Sequence, residues 1–188
     1  MSLFKFVKAS QEHQAVIFQW LDEPHVKEFW DNSQAHRDDI LLFMEGRKEP
    51  SHYFNGIFTY WVGLYNNEPY SLIMTAYESM SDDLPEAWKT YISKTGHTYS
   101  LDFCIGNKNY LGKGLAAPTL IEFMAYIQRE VDQKADTFFI DPEENNPRAI
   151  RVYAKAGFEP AVSFEMSHGY FEGHKNLLMI KKLVNTEG

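Results

Sequence analysis

Asp102-Phe103-Cys104-Ile105-Gly106-Asn107-Lys108-Asn109-Tyr110-Leu111-Gly112-Lys113-Gly114-Leu115-Ala116-Ala117 decides the reading of this chain. It runs as a strand, a short loop, two glycines one residue apart and the start of a helix. Glycine lets the backbone come close to a ligand because no side chain intervenes. A helix start offers unpaired N–H groups and a partial positive charge. Together these features form a cradle for a phosphate or pyrophosphate. The segment therefore predicts a phosphorylated cofactor.

Working outward, Phe4–Lys8 alternates apolar and charged residues as an edge strand does. Ser10 can cap a helix over residues 11–21, Pro24 suits the first turn of a second helix, and residues 38–45 read as a third. Residues 60–65 and 70–77 form two strands joined by a turn at Asn66-Asn67-Glu68-Pro69. Residues 78–96 are polar and acidic and read as a loop with some helix. Residues 99–105 form the next strand. Residues 114–130 carry a broad apolar stripe and predict a long helix, with Pro118 tolerated in its first turn. A short buried strand at residues 137–140 precedes a helix at residues 147–156, which Gly157 stops. Residues 161–168 and 176–182 close the chain as a hairpin. This order predicts an α/β (α+β) fold with a mixed, mostly antiparallel sheet and flanking helices.

The chain has 188 residues, enough for one sizeable domain over residues 1–188. Its net charge of −8 disfavours nucleic acid and suits a cationic small molecule. The same charge would also serve solubility alone. A single cysteine, Cys104, precludes an intrachain disulfide and points to a reducing cytoplasm. There is neither a signal-like start nor an apolar run long enough for a membrane span. The seven histidines show no paired metal spacing, so no metal is expected. Cys104 lacks the His or Asn spacing of a cysteine nucleophile and reads as a small core residue. The chain is expected to be a monomer or homodimer.

Which cofactor fills the cradle is less direct. Residues 112–117 match a dinucleotide pattern with alanine in the last place, and Asp141 follows a strand as a ribose partner would. However, residues 106–111 separate these glycines from their strand, and little chain remains after Gly157 for further parallel strands. An ATP loop fits poorly, because Leu115 stands where Ser or Thr should follow the lysine.

Gly112-Lys113-Gly114-Leu115-Ala116 resembles the acetyl-CoA pyrophosphate loop of the GNAT superfamily of N-acetyltransferases. Asn109 departs from the family's Gln or Arg at its position, but a cradle of main-chain N–H groups tolerates that change. Asp141-Pro142-Glu143-Glu144-Asn145-Asn146-Pro147-Arg148-Ala149-Ile150-Arg151-Val152-Tyr153-Ala154-Lys155-Ala156-Gly157-Phe158 resembles the family's second cofactor segment. It is most similar to the aminoglycoside 6′-N-acetyltransferases. The N-terminal Gln19-Trp20-Leu21, Pro24-His25-Val26 and Glu28-Phe29-Trp30 resemble the same subgroup. Related acyltransferases of siderophore assembly share much of this pattern.

The resemblance implies an enzyme that moves acetyl from acetyl-CoA directly to a primary amine. It implies a fold whose two parallel strands splay apart beside the cofactor. Phe103, Cys104 and Ile105 would run along the pantetheine and donate an N–H to the thioester carbonyl. Leu111, Gly112, Lys113, Gly114, Leu115 and Ala116 would hold the pyrophosphate, with Ala149 nearby. Asn146 would hydrogen-bond the cofactor arm, or else cap its helix. Tyr153 would protonate the departing thiolate, or else pack as a core aromatic. Asp102 would hold the acceptor's ammonium and take its proton, or else face solvent as an ordinary strand residue.

Glu78, Asp82 and Asp83 lie in an acidic stretch that would bind a polycation over the cleft or remain a solvated loop. Trp30 and Tyr77 could offer flat faces to sugar rings or pack in the core. The leading acceptor is the 6′-amine of an aminoglycoside. A siderophore precursor or polyamine-like metabolite is the runner-up, and a non-catalytic acetyl-CoA-binding module the third.

Overall fold

In the computed structural model, residues 3–81 and 84–183 are described. Seven strands form one sheet: β1 (Phe4–Lys8), β2 (Thr59–Tyr65), β3 (Glu68–Glu78), β4 (His97–Ile105), β5 (Ala135–Ile140), β6 (Glu159–Glu165) and β7 (Lys175–Lys182). Their spatial order is β1-β2-β3-β4-β5-β7-β6. Six α-helices accompany them: α1 (Gln14–Asp22), α2 (Pro24–Lys27), α3 (Gln34–Met44), α4 (Glu86–Lys89), α5 (Ala116–Tyr126) and α6 (Pro147–Lys155). The mixed fold with mostly antiparallel pairing is the expected one. Among the described residues no helix is long and apolar enough to cross a membrane.

The chain forms two compact units. The first holds residues 3–76, 102–115 and 169–171, and the second holds the other described residues. In the first unit, β1 pairs antiparallel with β2, and β2 with β3. The β2–β3 turn is tight because Asn66 and Asn67 adopt φ of 52° and 66°. Asn tolerates this left-handed conformation, and such turns match the twist of hairpin strands. The core of this unit gathers Ile17, Trp20, Leu21, Val26, Trp30, Ile40, Tyr53, Tyr60, Val62 and Leu72. Gly106 lies so close to Trp20 that a Cβ there would overlap the indole.

In the second unit, β4 pairs parallel with β5 from His97↔Ala135 to Ser100↔Phe139, while β4 itself continues to Ile105. β7 pairs antiparallel with both β5 and β6. Trp88 of α4 packs edge-on against Phe139 and Phe164, in a cluster with Leu84 and Leu178.

Among the boundaries that differ from expectation, the starts of α3 and α5 have identifiable reasons. α3 begins at Gln34, not at residue 38, because the Ser33 hydroxyl accepts the His36 N–H at 3.2 Å. That hydroxyl satisfies an otherwise orphaned donor and starts the helix one turn earlier. α5 begins at Ala116, not at residue 114, because Gly114 has φ of 73°. Its regular part ends at Tyr126 and widens into a π-type turn over Ile127–Val131.

Candidate functional site

In the first unit the last residues of β4 are pinned from both ends of the segment. His25 Nε2 donates to the Ile105 carbonyl at 2.8 Å. The N–H groups of Gly106 and Asn107 both donate to the Tyr70 carbonyl, at 2.9 and 3.1 Å. Asp102 is exposed, whereas Cys104 packs against the core. Burial pushes the Cys104 thiol up to about 12. A thiol held protonated is a poor nucleophile. Cys104 therefore supplies backbone and packing.

The loop that follows is shaped locally. The Asn107 side chain accepts the Asn109 N–H at 3.0 Å, which turns the chain over Lys108–Tyr110. The Tyr110 hydroxyl donates to the Glu68 carboxylate, and Lys113 Nζ lies 5.4 Å from the centre of the Tyr110 ring. Gly112 and Gly114 both have φ of 73°. A Cβ on either would meet nothing within 4 Å. The glycines are thus required by the backbone conformation, and the space beside them is open. Leu115 then leads into α5 at Ala116. This is the loop expected to cradle a pyrophosphate: open backbone running straight into a helix start.

In the second unit, Asn146 precedes α6, and its side-chain oxygen accepts the Ala149 N–H at 3.0 Å. Asn146 is therefore a helix cap. Its amide N–H₂ group is distinct from the capping oxygen and can serve a ligand. Tyr153 sits on α6 at 8% exposure, its ring edge toward Phe158. Glu78 ends β3 and accepts the Ser100 hydroxyl at 2.6 Å. Burial raises its carboxyl above the usual range, more than that hydrogen bond lowers it. Tyr77 is 53% exposed and meets His97 and Tyr99 edge-on. Asp82 and Asp83 lie outside the described residues. Among the described residues no group of three His, Cys, Asp or Glu side chains could hold a metal.

The structure also assembles residues that sequence reasoning passed over. Asp31 lies between α2 and α3 at 9% exposure. Its carboxylate accepts the Ser33 N–H at 2.8 Å and the Tyr53 hydroxyl. His36 Nδ1 donates to the Asp31 carbonyl at 2.7 Å, and its ring stacks on Tyr53 at 4.7 Å between centroids. Trp30 is buried beside His36, and among the described residues its indole N–H has no partner. Burial, and then the charges of Asp31 and Asp102, hold the Tyr53 phenol protonated well above its usual range. Asp102 thus has the Tyr53 phenol in its electrostatic neighbourhood. No spacing signal marks this group, because tertiary packing brings its members together.

The chain matches the acetyltransferase (GNAT) domain family over residues 9–166. It is 28% identical over 145 residues to aminoglycoside N(6')-acetyltransferase type 1 of Klebsiella pneumoniae, an overlap of 77% of this chain and 68% of that protein. Its fold superposes on the crystal structure of an aminoglycoside N(6')acetyltransferase from Legionella pneumophila with a TM-score of 0.74. That match has 23% identity and covers 97% of this chain and 94% of the other. Spermidine N-acetyltransferase from Vibrio cholerae, solved with CoA and spermine, superposes with a TM-score of 0.67 and 11% identity. It covers 97% of this chain and 96% of the other. At these identities the superpositions establish fold.

Proposed function

The chain belongs to the GNAT acetyltransferase family, and on that premise we propose that it moves the acetyl group of acetyl-CoA to a primary amine of a cationic small molecule, with the 6′-amine of an aminoglycoside as first choice. The observation that carries this reading is the open loop at Gly112 and Gly114, whose backbone conformation leads straight into α5.

Residues 111–116 hold the pyrophosphate through main-chain N–H groups. Residues 103–105 run along the pantetheine, and a backbone N–H polarises the thioester carbonyl. Asn146 donates its amide N–H to the cofactor arm, with Ala149 beside it. Asp102 holds the acceptor's ammonium and takes its proton, directly or through water. The neutral amine attacks the carbonyl carbon, the C–N bond forms and the C–S bond breaks. Tyr153 gives its proton to the departing thiolate. Glu78 and the exposed Tyr77 are read as acceptor residues, whereas Trp30 packs in the core of the first unit. The enzyme is read as one domain working in the cytoplasm, as a monomer or homodimer.

The net charge of −8 supports a cationic acceptor. A polyamine is the second acceptor class, supported by the fold shared with the spermidine enzyme.

The test is CoA-thiol release from acetyl-CoA with kanamycin, tobramycin and spermine as separate acceptors. Fast release with an aminoglycoside alone supports the first reading, and release with spermine alone replaces it with the second. Tight acetyl-CoA binding with no release from any acceptor sinks both. For Tyr153→Phe, acetyl-CoA binding should persist while kcat falls about a hundredfold, the low end of general-acid contributions. An unchanged kcat would remove Tyr153 from the chemistry.

A further inference from the structure

In the second unit the connection from β5 to α6, residues 141–146, carries Asn146 and is held along most of its length. It runs on beside β7 after β5 has ended. β5 pairs with β7 as far as Ile140↔Met179, and Glu143 then faces Asn176 in the same antiparallel register. The Leu177 N–H donates to the Pro142 carbonyl and the Glu144 N–H to the Lys175 carbonyl, both at 2.9 Å. Side chains add to this ladder. The Ser163 hydroxyl of β6 donates to the Glu144 carboxylate, and His174 Nδ1 lies 3.0 Å from the carboxylate of Glu143.

Asn176 is the buried member of this clamp, at 7% exposure. Its amide N–H₂ group donates to the Asp141 carbonyl at 2.8 Å and to the Asp141 carboxylate at 2.9 Å. A backbone carbonyl can only accept, so the amide must turn its donors that way. Its Oδ1 is then left buried, with no partner among the described residues. A buried oxygen without a partner costs stability, and an apolar side chain at this place would avoid that cost. The amide is therefore explained by what its N–H₂ group holds. The backbone of Asn176 is itself fixed between Phe164 of β6 and Glu143. Its side chain thus reaches from a rigid point of the sheet to the first residue of the connection. The hold continues to Asn146, whose N–H donates to the Glu143 carbonyl at 2.9 Å and whose oxygen caps α6.

We propose that Asn176 is a positioning residue for the cofactor: it fixes the β5–α6 connection so that the amide N–H₂ group of Asn146 stands where the acetyl-CoA arm accepts from it. Asn176 touches no reacting atom and acts through Asn146. Without its amide, the main-chain ladder still holds residues 142–144, but Asp141, at the exit from β5, loses both bonds that Asn176 supplies. The connection is then free to settle differently, and Asn146 moves with it. The inference rests on the reading of Asn146 as a donor to the cofactor arm.

The experiment is calorimetric titration of acetyl-CoA into the wild type, Asn176→Leu, Asn146→Ser and the double variant, with thermal unfolding of each protein alone. Leu has nearly the shape of Asn and removes the unpaired oxygen, so the unfolding midpoint of Asn176→Leu should move by less than about 4 °C. Its Kd for acetyl-CoA should nevertheless rise about fivefold, as the loss of one hydrogen bond would make it. Asn146→Ser keeps a capping oxygen but lacks the amide, so it should weaken binding by about the same factor. Residues that act through one bond are not additive. The double variant should therefore also lie about fivefold above the wild type, not about twenty-fivefold.

A double variant whose effects multiply overturns this inference alone. So does an unchanged Kd in Asn176→Leu beside a raised one in Asn146→Ser, whatever happens to the unfolding midpoint. An unchanged Kd in Asn146→Ser overturns the reading of Asn146 and this inference with it. No binding of acetyl-CoA to the wild type overturns the cofactor reading from which both proceed. If Asn176→Leu does not fold, Asn176→Ala removes the same donors without adding bulk and carries the same comparison of Kd and coupling.

Discussion

Residues 102–117 and residues 31–60 are built on opposite plans. The first stretch owes its shape to the main chain: two glycines at φ of 73°, open space where their side chains would be, and a helix start directly after. The second owes its shape to side chains. Asp39, buried completely, gathers Arg47, Tyr60 and Ser51, and Arg47 in turn donates to the Phe58 carbonyl at 3.2 Å. Backbone donors recognise a pyrophosphate whatever side chains surround them, so the first plan is written in a few consecutive residues. A side-chain network needs partners from distant positions, and each partner is exposed to replacement.

The contrast breaks most visibly at Asp39. Asp39→Ala leaves the Arg47 guanidinium buried without its carboxylate. Removing one partner of such a pair costs about 3–5 kcal/mol. Urea unfolding should show that loss, and a change below about 1 kcal/mol would mean that side chains do not hold this stretch. His36 gives the next effect. Burial holds its imidazole below the ordinary 6.5, opposed by its bond to the Asp31 carbonyl and by the charges of Asp31 and Asp39, and assisted by Arg37. The folded state thus prefers neutral His36, and its contribution is intact above pH 6.5. As the pH falls below 6.5, the unfolded chain takes up the proton first. Stability then declines by at most about 1.4 kcal/mol per pH unit until the folded value is reached. Unfolding midpoints from pH 7.5 to 5 should show the slope, and His36→Gln should flatten it. A slope that survives in His36→Gln belongs to other groups.

The glycine loop should respond differently. Gly114→Ala places a side chain in open space, so its cost is conformational. Left-handed backbone costs an ordinary residue about 1–2 kcal/mol. If the loop flattens to escape that strain, its N–H groups turn away from the cofactor. The KM for acetyl-CoA should rise about tenfold, with the acceptor KM little changed. Gly114→Asn should be milder, because Asn tolerates the left-handed region. Equal KM changes for cofactor and acceptor would overturn the reading of this loop as the cofactor cradle.

The same division decides how much of the fold is legible in the sequence. The hairpin at Asn66 and Asn67, the strand before Gly106 and the helix capped by Asn146 and stopped by Gly157 are local devices, and each lies where the residues predict. α3 starts a turn before the expected residue 38 because Ser33 caps it. Gly114, expected as the first helical residue, is excluded from α5 by its left-handed conformation. The widening of the helix over Ile127–Val131 left no mark, since the apolar stripe runs on through it. The cofactor segments stood out as motifs. Asp31 and Tyr53 did not, because nothing local to either residue announces the hydrogen bond between them. Trp30 and Tyr77, two aromatics with the same sequence-level reading, ended at 6% and 53% exposure. Burial of that kind is decided by packing from elsewhere in the chain.

Asn146 is where the two plans meet in one side chain, and its effects should be the smallest and the most informative. Its oxygen caps α6 by accepting the Ala149 N–H. Losing an Asn cap to Ala costs about 1 kcal/mol. Asn146→Asp keeps a capping oxygen, and a carboxylate at a helix start is favourable, so stability should be retained. The same change removes the amide N–H₂ group that the cofactor reading needs. If Asn146 only caps, Asn146→Asp should match the wild type in both thermal unfolding and acetyl-CoA KM. If it also donates to the cofactor, stability should stay while the KM for acetyl-CoA rises about fivefold, the loss of one hydrogen bond of roughly 1 kcal/mol. A rise in the KM for acetyl-CoA with Asp but not with Ser would instead point to charge repulsion with the cofactor phosphates.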